Sequence, residues 1–215
     1  MNPEELMRRA GVWRAGELSA AVGLPSGFAA LDALLPGGGW PRAGLTEILS
    51  SATGIGALSL VLPALARLSA AGHWIVWVAP PHVPYSPALR AHGIELARML
   101  VVELPEQSAA GDAGEQVLWA YEQALRFNDC AAALLWLERA SRLALRRLQL
   151  AAEAGRTWGI VFRPRQYVDE ASPAPFRLVL EAAEATARGD QDRLRVTLHK
   201  ARGGRGGGQC ELALG

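Results

Sequence analysis

The part of the sequence with the spacing of a catalytic loop is GLTEILSSATGIGALSL, residues 44–60. An apolar run at 45–49 enters a turn of small residues and a second apolar run at 57–68 leaves it, as in the strand, loop and helix of a phosphate-binding loop. Such a loop surrounds phosphates with backbone N–H groups, and it also needs a lysine and a Ser or Thr hydroxyl for Mg²⁺. Neither follows the glycines here, so we predict a degenerate loop. Its residues are Ser50, Ser51, Thr53, Gly54 and Gly56.

The segments that must position this loop alternate between strand-like and helix-like patterns. Short apolar runs bounded by Gly and Pro predict buried strands, and apolar residues at helical spacing predict helices. Because strands alone close the chain, the order predicts an α/β fold: a mostly parallel sheet with helices on both faces and an antiparallel C-terminal extension. The predicted strands are 44–49, 73–80, 99–105, 130–137, 157–164, 176–182, 193–201 and 209–215, and the predicted helices are 3–22, 28–35, 57–68, 86–93, 115–129 and 138–155.

Composition excludes several classes of protein. With 215 residues, 50% hydrophobic and 20% charged, the chain suits one soluble globular domain. A net charge of +1 argues against a bulk electrostatic grip on nucleic acid, and the longest apolar stretch, 55–68, is too short to span a bilayer. Cys130 and Cys210 have neither metal nor redox spacing, which predicts core thiols in a reduced, cytoplasmic protein. The histidines lack ligand spacing, so neither a metal nor another cofactor is predicted.

Three longer blocks resemble RecA-type recombinases. They are SGFAALDALLPGGGWPRAGLTEIL (26–49), GEQVLWAYEQALRFNDCAAALLWL (114–137) and RLRVTLHKARGGRGGGQCELAL (193–214). The resemblance implies a helical arm at 1–23, followed by a RecA-like core at 24–215 with a C-terminal β-hairpin. A more specific resemblance, to the ImuA family of bacterial DNA-damage mutagenesis operons, is carried by LPGGGWPRAGLTEIL, GIGALSLVLPALARL, WVAPPHVPYSPAL and LRRLQLAAEAG. That family is related to the division inhibitor SulA.

The resemblance also places the catalytic positions of a RecA-type ATPase on this sequence, and all of them are changed. The Gly-Lys-Thr that ends the loop corresponds to 56–58 (Gly-Ala-Leu), the Walker B carboxylate to Trp136, and the catalytic glutamate to Pro81. Glu138 is a candidate substitute, but an acid is also favoured there if it opens the next helix. We therefore predict a non-enzyme that does not hydrolyse ATP. The glycines then serve a tight turn, although free N–H groups at a helix start can still hold an anion.

The remaining candidates are surfaces for DNA or a partner protein, each with an ordinary alternative. Arginines on the 138–155 helix form either a solvated face or a contact for an acidic partner or DNA phosphate. The glycine-rich turn at 199–205 is either a single-strand contact or a plain hairpin tip. Arginines also flank a loop at 163–175, which the resemblance equates with a DNA-gripping loop, and an apolar face on the arm would suit docking on a partner. The residues are Arg139, Arg142, Arg146 and Arg147 on the helix, Arg163 and Arg165 at the loop, His199, Lys200, Arg202 and Arg205 in the turn, and Leu6, Trp13 and Leu18 on the arm.

These features support three functional hypotheses. The resemblance implies a non-catalytic RecA-like adaptor in SOS-induced translesion DNA synthesis, with an ImuB-like protein, an error-prone DNA polymerase complex, RecA and single-stranded DNA as partners. A SulA-like inhibitor of the division protein FtsZ would equally need no ATPase, although the N-terminal arm and the Arg-rich hairpin favour the adaptor. A DNA-dependent ATPase is the third hypothesis, and the changed catalytic positions count against it. No membrane partner is expected.

Overall fold

A computed structural model describes residues 22–51, 56–103, 112–183, 193–201 and 206–214 of the chain. The predicted arm helix at 3–22 therefore lies almost entirely outside the described residues. The strands of the described part are β1 (Gly44–Ser50), β2 (Trp74–Val78), β3 (Met99–Val102), β4 (Cys130–Trp136), β5 (Trp158–Pro164), β6 (Phe176–Ala182), β7 (Arg193–Ala201) and β8 (Gln209–Ala213). Its α-helices are α1 (Ala29–Leu34), α2 (Leu62–Ala70), α3 (Ser86–Ala91), α4 (Asp112–Arg126) and α5 (Arg142–Gly155).

The eight strands form one mixed sheet in the order β3-β2-β4-β5-β1-β6-β7-β8. Strands β1 to β6 are parallel to one another, and β7 and β8 continue the sheet beyond β6 as antiparallel strands. This confirms the predicted α/β fold with its antiparallel extension. Strand β1 pairs with β5 on one side and with β6 on the other, so the loop that follows it lies in the middle of the carboxyl edge of the sheet.

Helices cover both faces of the parallel strands. On one face α1, α2 and α3 contribute Leu31, Leu65 and Leu89 to an apolar core. On the other face α4 and α5 contribute Tyr121 and Leu148 to a second core. The central strands are therefore buried at almost every position, whereas β7 alternates buried and partly exposed residues.

Helix α5 ends where it approaches α4 most closely. A Cβ atom at Gly155 would overlap the backbone carbonyl oxygen of Leu125 in α4. The next residue, Arg156, takes the left-handed conformation that ends the helix, and the Thr157 hydroxyl then donates a hydrogen bond to the carbonyl of Cys130 at 2.9 Å. Because only glycine permits this approach, Gly155 fixes the spacing between the two helices at the point where β5 begins.

One buried carboxylate joins the three central strands. Glu47 of β1 accepts hydrogen bonds from Nη1 of Arg163 in β5 at 3.2 Å and from Nε of Arg177 in β6 at 2.6 Å. All three side chains are almost completely buried. A charge is stable in a protein interior only when it is paired and hydrogen-bonded, so each of these groups requires the others.

The crossover between β5 and β6 is fixed to this cluster. Arg177 donates hydrogen bonds to the backbone carbonyls of Tyr167 and Val168, both at 2.8 Å. The ammonium group of Lys200 in β7 donates to the carbonyl of Ser172 at 2.7 Å. The segment between β5 and β6 is thus held by cations from the two strands that follow it.

The cysteines differ in their surroundings. Cys130 is buried at the start of β4, as predicted, and burial raises the pKa of its thiol to about 12. Cys210 is only half-buried because β8 is an edge strand of the sheet, which corrects the prediction of a core thiol. Partial burial also raises the pKa of the Cys210 thiol above its usual value.

We expect Gly155→Ala to lower the free energy of unfolding by about 1–3 kcal/mol, because the methyl group would push α5 away from α4. The matched control is Gly114→Ala in α4, where an added Cβ meets nothing within 4 Å. The control should raise the free energy of unfolding by about 0.5–1 kcal/mol through its higher helix propensity. Urea unfolding followed by tryptophan fluorescence measures both values, and equal effects would contradict the close approach of the two helices.

We expect Glu47→Gln to lower the free energy of unfolding by about 3–5 kcal/mol, because Arg177 and Arg163 lose the buried carboxylate they share and Arg163 keeps only a 3.4 Å contact to the partly exposed Glu170. Glu211→Gln is the matched control, since Glu211 also lies beside two arginines, Arg193 and Arg195, but at the surface. Loss of that surface pair should cost no more than about 1 kcal/mol. The same unfolding measurement compares them, and a Glu47→Gln variant as stable as the control would show that the buried cluster is not required.

Candidate functional site

The described part of the degenerate loop is shaped by packing. Thr53 and Gly54 lie outside the described residues, whereas Ser50 ends β1, Ser51 follows it, and Gly56 leads towards α2. Gly56 has φ of +91°, and a Cβ atom there would overlap the side chain of Leu214. The backbone conformation therefore favours glycine at this position, and a larger residue would also have to displace the terminal methyl group of Leu214.

Three aromatic rings pack against one another beside this loop at the carboxyl ends of neighbouring strands, with Trp136 and Phe162 stacked and Trp77 tilted against Trp136. Trp77 of β2 lies 5.4 Å from Trp136 of β4, and Trp136 lies 4.9 Å from Phe162 of β5, measured between ring centroids. Trp77 and Phe162 are buried, and Trp136 is partly exposed. The position that the resemblance equates with the Walker B carboxylate is thus the middle ring of an apolar stack.

The loop and the stack line one cleft of about 580 Å³. The segment 56–59, the three aromatic rings and the proline-rich segment 80–85 form its walls. The cleft therefore brings together Ala57, Leu58, Trp136 and Pro81, the positions where the resemblance expects catalytic groups. Ligands of open α/β sheets bind beyond the carboxyl ends of the strands, which is where this cleft lies.

The chemistry of the cleft is apolar. Of the described residues that line it, none is Lys, Arg, Asp or Glu, and His82 is the only one with a ring that can carry a positive charge. A triphosphate bound there would meet no lysine or arginine side chain, and a metal ion would meet no carboxylate, among those residues. The walls instead suit an apolar or aromatic group.

Glu138 lies outside this cleft and outside α5. It is exposed in the loop after β4, and α5 begins only at Arg142. The N-cap is Ser141, whose hydroxyl accepts a hydrogen bond from the backbone N–H of Ala144 at 3.1 Å. The prediction that Glu138 opens the helix is therefore wrong, because a serine cap three residues later starts it.

The arginines predicted to form a helical stripe are only partly on a helix. Arg139 precedes α5, so it does not belong to the stripe, whereas Arg142, Arg146 and Arg147 lie exposed on α5. Nε of Arg147 is 2.8 Å from a carboxylate oxygen of Glu122 in α4. The helical part of the patch is thus a surface feature next to α4.

The cations predicted beside the crossover and in the hairpin lie in different environments. Arg163 is buried on Glu47, which corrects the expectation that it faces DNA or a partner, and Arg165 pairs with Glu181 at 2.8 Å on the surface. Lys200 binds the crossover, and burial together with nearby Arg177 lowers the pKa of its ammonium group. His199 is exposed, and Arg202 and Arg205 lie outside the described residues.

The structure does not bring the degenerate loop and the hairpin together. Strand β7 runs antiparallel to β6, and Ala201 at its end pairs with Phe176 at the start of β6. His199 and Lys200 therefore lie towards the amino edge of the parallel strands, opposite the cleft. Leu6, Trp13 and Leu18 of the arm lie outside the described residues.

Two features escaped prediction from the sequence. The pairing of Glu47 with buried arginines depends on strands more than a hundred positions apart, although a glutamate inside an apolar run was a visible signal. An exposed apolar surface at Trp119, Leu143 and Leu150 also went unnoticed. Leu143 and Leu150 lie outside the buried stripe of α5, which includes Leu145, Leu148 and Ala152. Apolar residues outside the buried stripe of a helix are the sequence signal for such a surface.

The described residues form neither a metal site nor a membrane-spanning helix. No group of three or more His, Cys, Asp or Glu side chains there is arranged to hold a metal ion. None of the described helices combines the length and the apolar character needed to cross a membrane.

Comparison with known proteins gives two groups of relatives. No protein-family model matches the chain. The chain is 31% identical to protein ImuA from strains of Caulobacter vibrioides over 214 aligned residues, which cover 90% of this chain and 84% of that protein. It is 32% identical to cell division inhibitor SulA of Edwardsiella piscicida over 127 residues, which cover 59% of this chain and 71% of that protein. The crystal structure of SulA from Pseudomonas aeruginosa aligns with a TM-score of 0.45 and 28% sequence identity, over 56% of this chain and 97% of that one.

These matches confirm the resemblance that the sequence blocks predict. The similarity to SulA of Edwardsiella piscicida covers 59% of the chain, whereas the similarity to ImuA covers 90%. The chain therefore belongs to the ImuA family.

Proposed function

We propose that this protein is a non-catalytic adaptor in SOS-induced translesion DNA synthesis. The observation that carries the proposal is membership of the ImuA family over 90% of the chain. As an adaptor it would join an ImuB-like polymerase-like protein to an error-prone DNA polymerase complex, with RecA and single-stranded DNA as further contacts. It would do so in the cytoplasm, through its surfaces and without a reaction of its own.

We infer that the sheet is a RecA-like core, preceded by an arm at 1–23, that has kept its scaffold and lost its ATP cycle. In support, β1 lies inside the sheet between β5 and β6, and the glycine-containing loop follows its carboxyl end. The loop of a RecA-type ATPase would hold a triphosphate there. In this chain the same place is lined by Trp77, Trp136 and Phe162.

The absence of ATP hydrolysis follows from three changes at one place rather than from any single one. Without a lysine at Ala57, the charge on the β- and γ-phosphates meets no lysine or arginine among the described residues that line the cleft. Without a carboxylate at Trp136, Mg²⁺ lacks a ligand, and proline at Pro81 cannot orient a water molecule. A compensating group would have to reach the cleft from elsewhere, and Glu138 points to no such role because it is not among the residues that line it.

A second candidate function is inhibition of cell division by binding FtsZ. The specific observation in its favour is the 32% identity to cell division inhibitor SulA, which covers 71% of that protein. A SulA-like inhibitor would also need no ATPase. The adaptor is the better-supported function because the ImuA match extends through a larger part of this chain.

Binding to partners separates the two candidates. We expect the full chain and an ImuB-like protein from the same genome to form a complex that survives size-exclusion chromatography. ATP with Mg²⁺ should leave the affinity unchanged within about twofold, because the cleft offers no nucleotide-dependent switch. FtsZ polymerisation, measured by sedimentation at stoichiometric amounts of this chain, should be unaffected. Inhibition of FtsZ without formation of the ImuB-like complex would favour the division inhibitor instead.

Hydrolysis of ATP tests the third hypothesis. We expect phosphate release by the purified chain to stay at the buffer background, with or without single-stranded DNA. Glu138→Gln should leave that rate unchanged, because Glu138 lies outside the cleft. Hydrolysis well above background that Glu138→Gln abolishes would overturn the non-catalytic proposal.

A further inference from the structure

A second cleft lies between α4 and α5, on the face of the sheet that these two helices cover. It has a volume of about 860 Å³, and we call it the helix groove. The residues of its lining on which the argument depends are Leu118, Trp119, Leu143, Arg146, Arg147 and Leu150. It is separate from the cleft lined by Trp77, Trp136 and Phe162, which we call the aromatic cleft. The aromatic cleft lies at the carboxyl edge of the sheet, on the side of α2.

The walls of the helix groove expose large apolar side chains. Trp119 is 63% exposed, Leu143 78% and Leu150 50%. Leu143 and Leu150 are two helical turns apart, so they lie on one stripe of α5, and Trp119 faces them from α4. Apolar side chains that cluster at a surface mark a site where another molecule excludes water.

The groove is held in shape before any partner arrives. Glu122 of α4 binds Arg147 of α5 at 2.8 Å and Arg126 of its own helix at 3.0 Å. Beneath the groove, Tyr121 and Leu148 are fully buried between the helices and the sheet. A preformed surface loses little conformational entropy on binding, so the exposed apolar area contributes more of its transfer free energy to affinity.

Positive charge surrounds this apolar surface. The single carboxylate of Glu122 pairs with both Arg126 and Arg147. These three side chains together therefore carry a net positive charge. Glu115 is the one acid among the described residues that line the groove. The arginines in or beside the groove are Arg126, Arg142, Arg146 and Arg147, and all four are exposed.

We propose that the helix groove binds an amphipathic helix of a partner protein, with acidic side chains beside its apolar stripe. The apolar stripe would cover Trp119, Leu143 and Leu150, and the acids would lie against Arg142 and Arg146. Helix-in-groove recognition uses apolar anchors at this spacing. The biological setting of this surface rests on the proposed adaptor role, which requires a face for a partner.

The charges favour such a helix over the other occupants. A second copy that docked through the same face would bring arginines against arginines. The arm at 1–21 carries three glutamates and three arginines, so it offers no net negative charge. Single-stranded DNA binds by stacking successive bases on several aromatic rings, whereas Trp119 is the one aromatic residue among the described residues that line the groove, and Leu143 and Leu150 are aliphatic.

A labelled synthetic peptide tests the proposal on the full chain. The probe is a helical peptide of about 18 residues with leucines at i, i+4, i+7 and i+11 and glutamates on both flanks, and its match has lysine in place of every glutamate. Fluorescence anisotropy should show binding of the acidic peptide in the micromolar range and at least about tenfold weaker binding of the basic one. Raising NaCl from about 50 to about 300 mM should weaken binding of the acidic peptide several-fold.

Substitutions at exposed positions locate the binding site without disturbing the fold. Leu143→Glu and Arg146→Glu should each weaken binding of the acidic peptide by about tenfold. The matched control is Val83→Glu, at a position 82% exposed on the aromatic cleft, and it should leave binding unchanged. Equal binding of the two peptides, or a loss caused only by Val83→Glu, would overturn the proposal.

Two further measurements separate this inference from the adaptor role and from nucleic acid. Tight binding of a labelled single-stranded oligonucleotide that Arg146→Glu abolishes, with no binding of the peptide, would assign the surface to DNA and overturn the proposal. Leu143→Glu is measured for both its affinity for the peptide and its complex with the ImuB-like protein. If neither changes, the groove proposal fails and the adaptor role stands. If the peptide binds as expected and no ImuB-like complex forms, the adaptor role fails and the groove stands.

Discussion

The buried carboxylate of Glu47 is the charge around which the central strands are arranged. It lies in β1 between guanidinium groups from β5 and β6, and one of those groups also holds the crossover that connects the two strands. Removal of Glu47 would take away the buried carboxylate that both arginines share, and Arg163 would keep only a longer contact to the partly exposed Glu170. The cluster therefore makes the order β5-β1-β6 and the path of the crossover interdependent, and it occupies arginines that would otherwise be available to DNA. Because β1 is held between β5 and β6, the loop that follows β1 is held at the middle of the carboxyl edge of the sheet.

The carboxyl edge of the sheet is stabilised by packing rather than by charged groups. The strand, turn and helix around the loop depend on small residues and on packing, and Gly56 is favoured by its backbone φ of +91°. The rings of Trp77, Trp136 and Phe162 pack against one another and stabilise the carboxyl edge of the sheet by apolar contact. A charged nucleotide site would cost stability there unless its ligand were bound. Apolar contacts therefore stabilise this edge without a bound ligand.

The sequence was sufficient for the strands and the order of elements because each buried strand is a short apolar run between Gly or Pro residues. Prolines after 79, for example, end β2 as expected. The start of α5 was missed since an acid at Glu138 and a cap at Ser141 are both plausible openings, and only the cap geometry decides between them. Burial of Arg163 was missed because it depends on a partner 116 positions away. The resemblance equated Trp136 and Pro81 with catalytic positions, but the cleft of aromatic rings around them depends on the packing of β2, β4 and β5. The helix groove depends on how α4 and α5 are placed side by side.

The position of β1 within the sheet has a consequence for how the protein is made. Strand β1 ends at Ser50, but its two neighbours are β5 and β6, which begin at Trp158 and Phe176. During synthesis the apolar side chains and backbone groups of β1 therefore have no strand partner until β5 and β6 have been synthesised. Contacts between segments so far apart in sequence slow folding and leave apolar strands open to aggregation in the meantime. The sheet around β1 can therefore be completed only late in folding, after β5 and β6 have been synthesised.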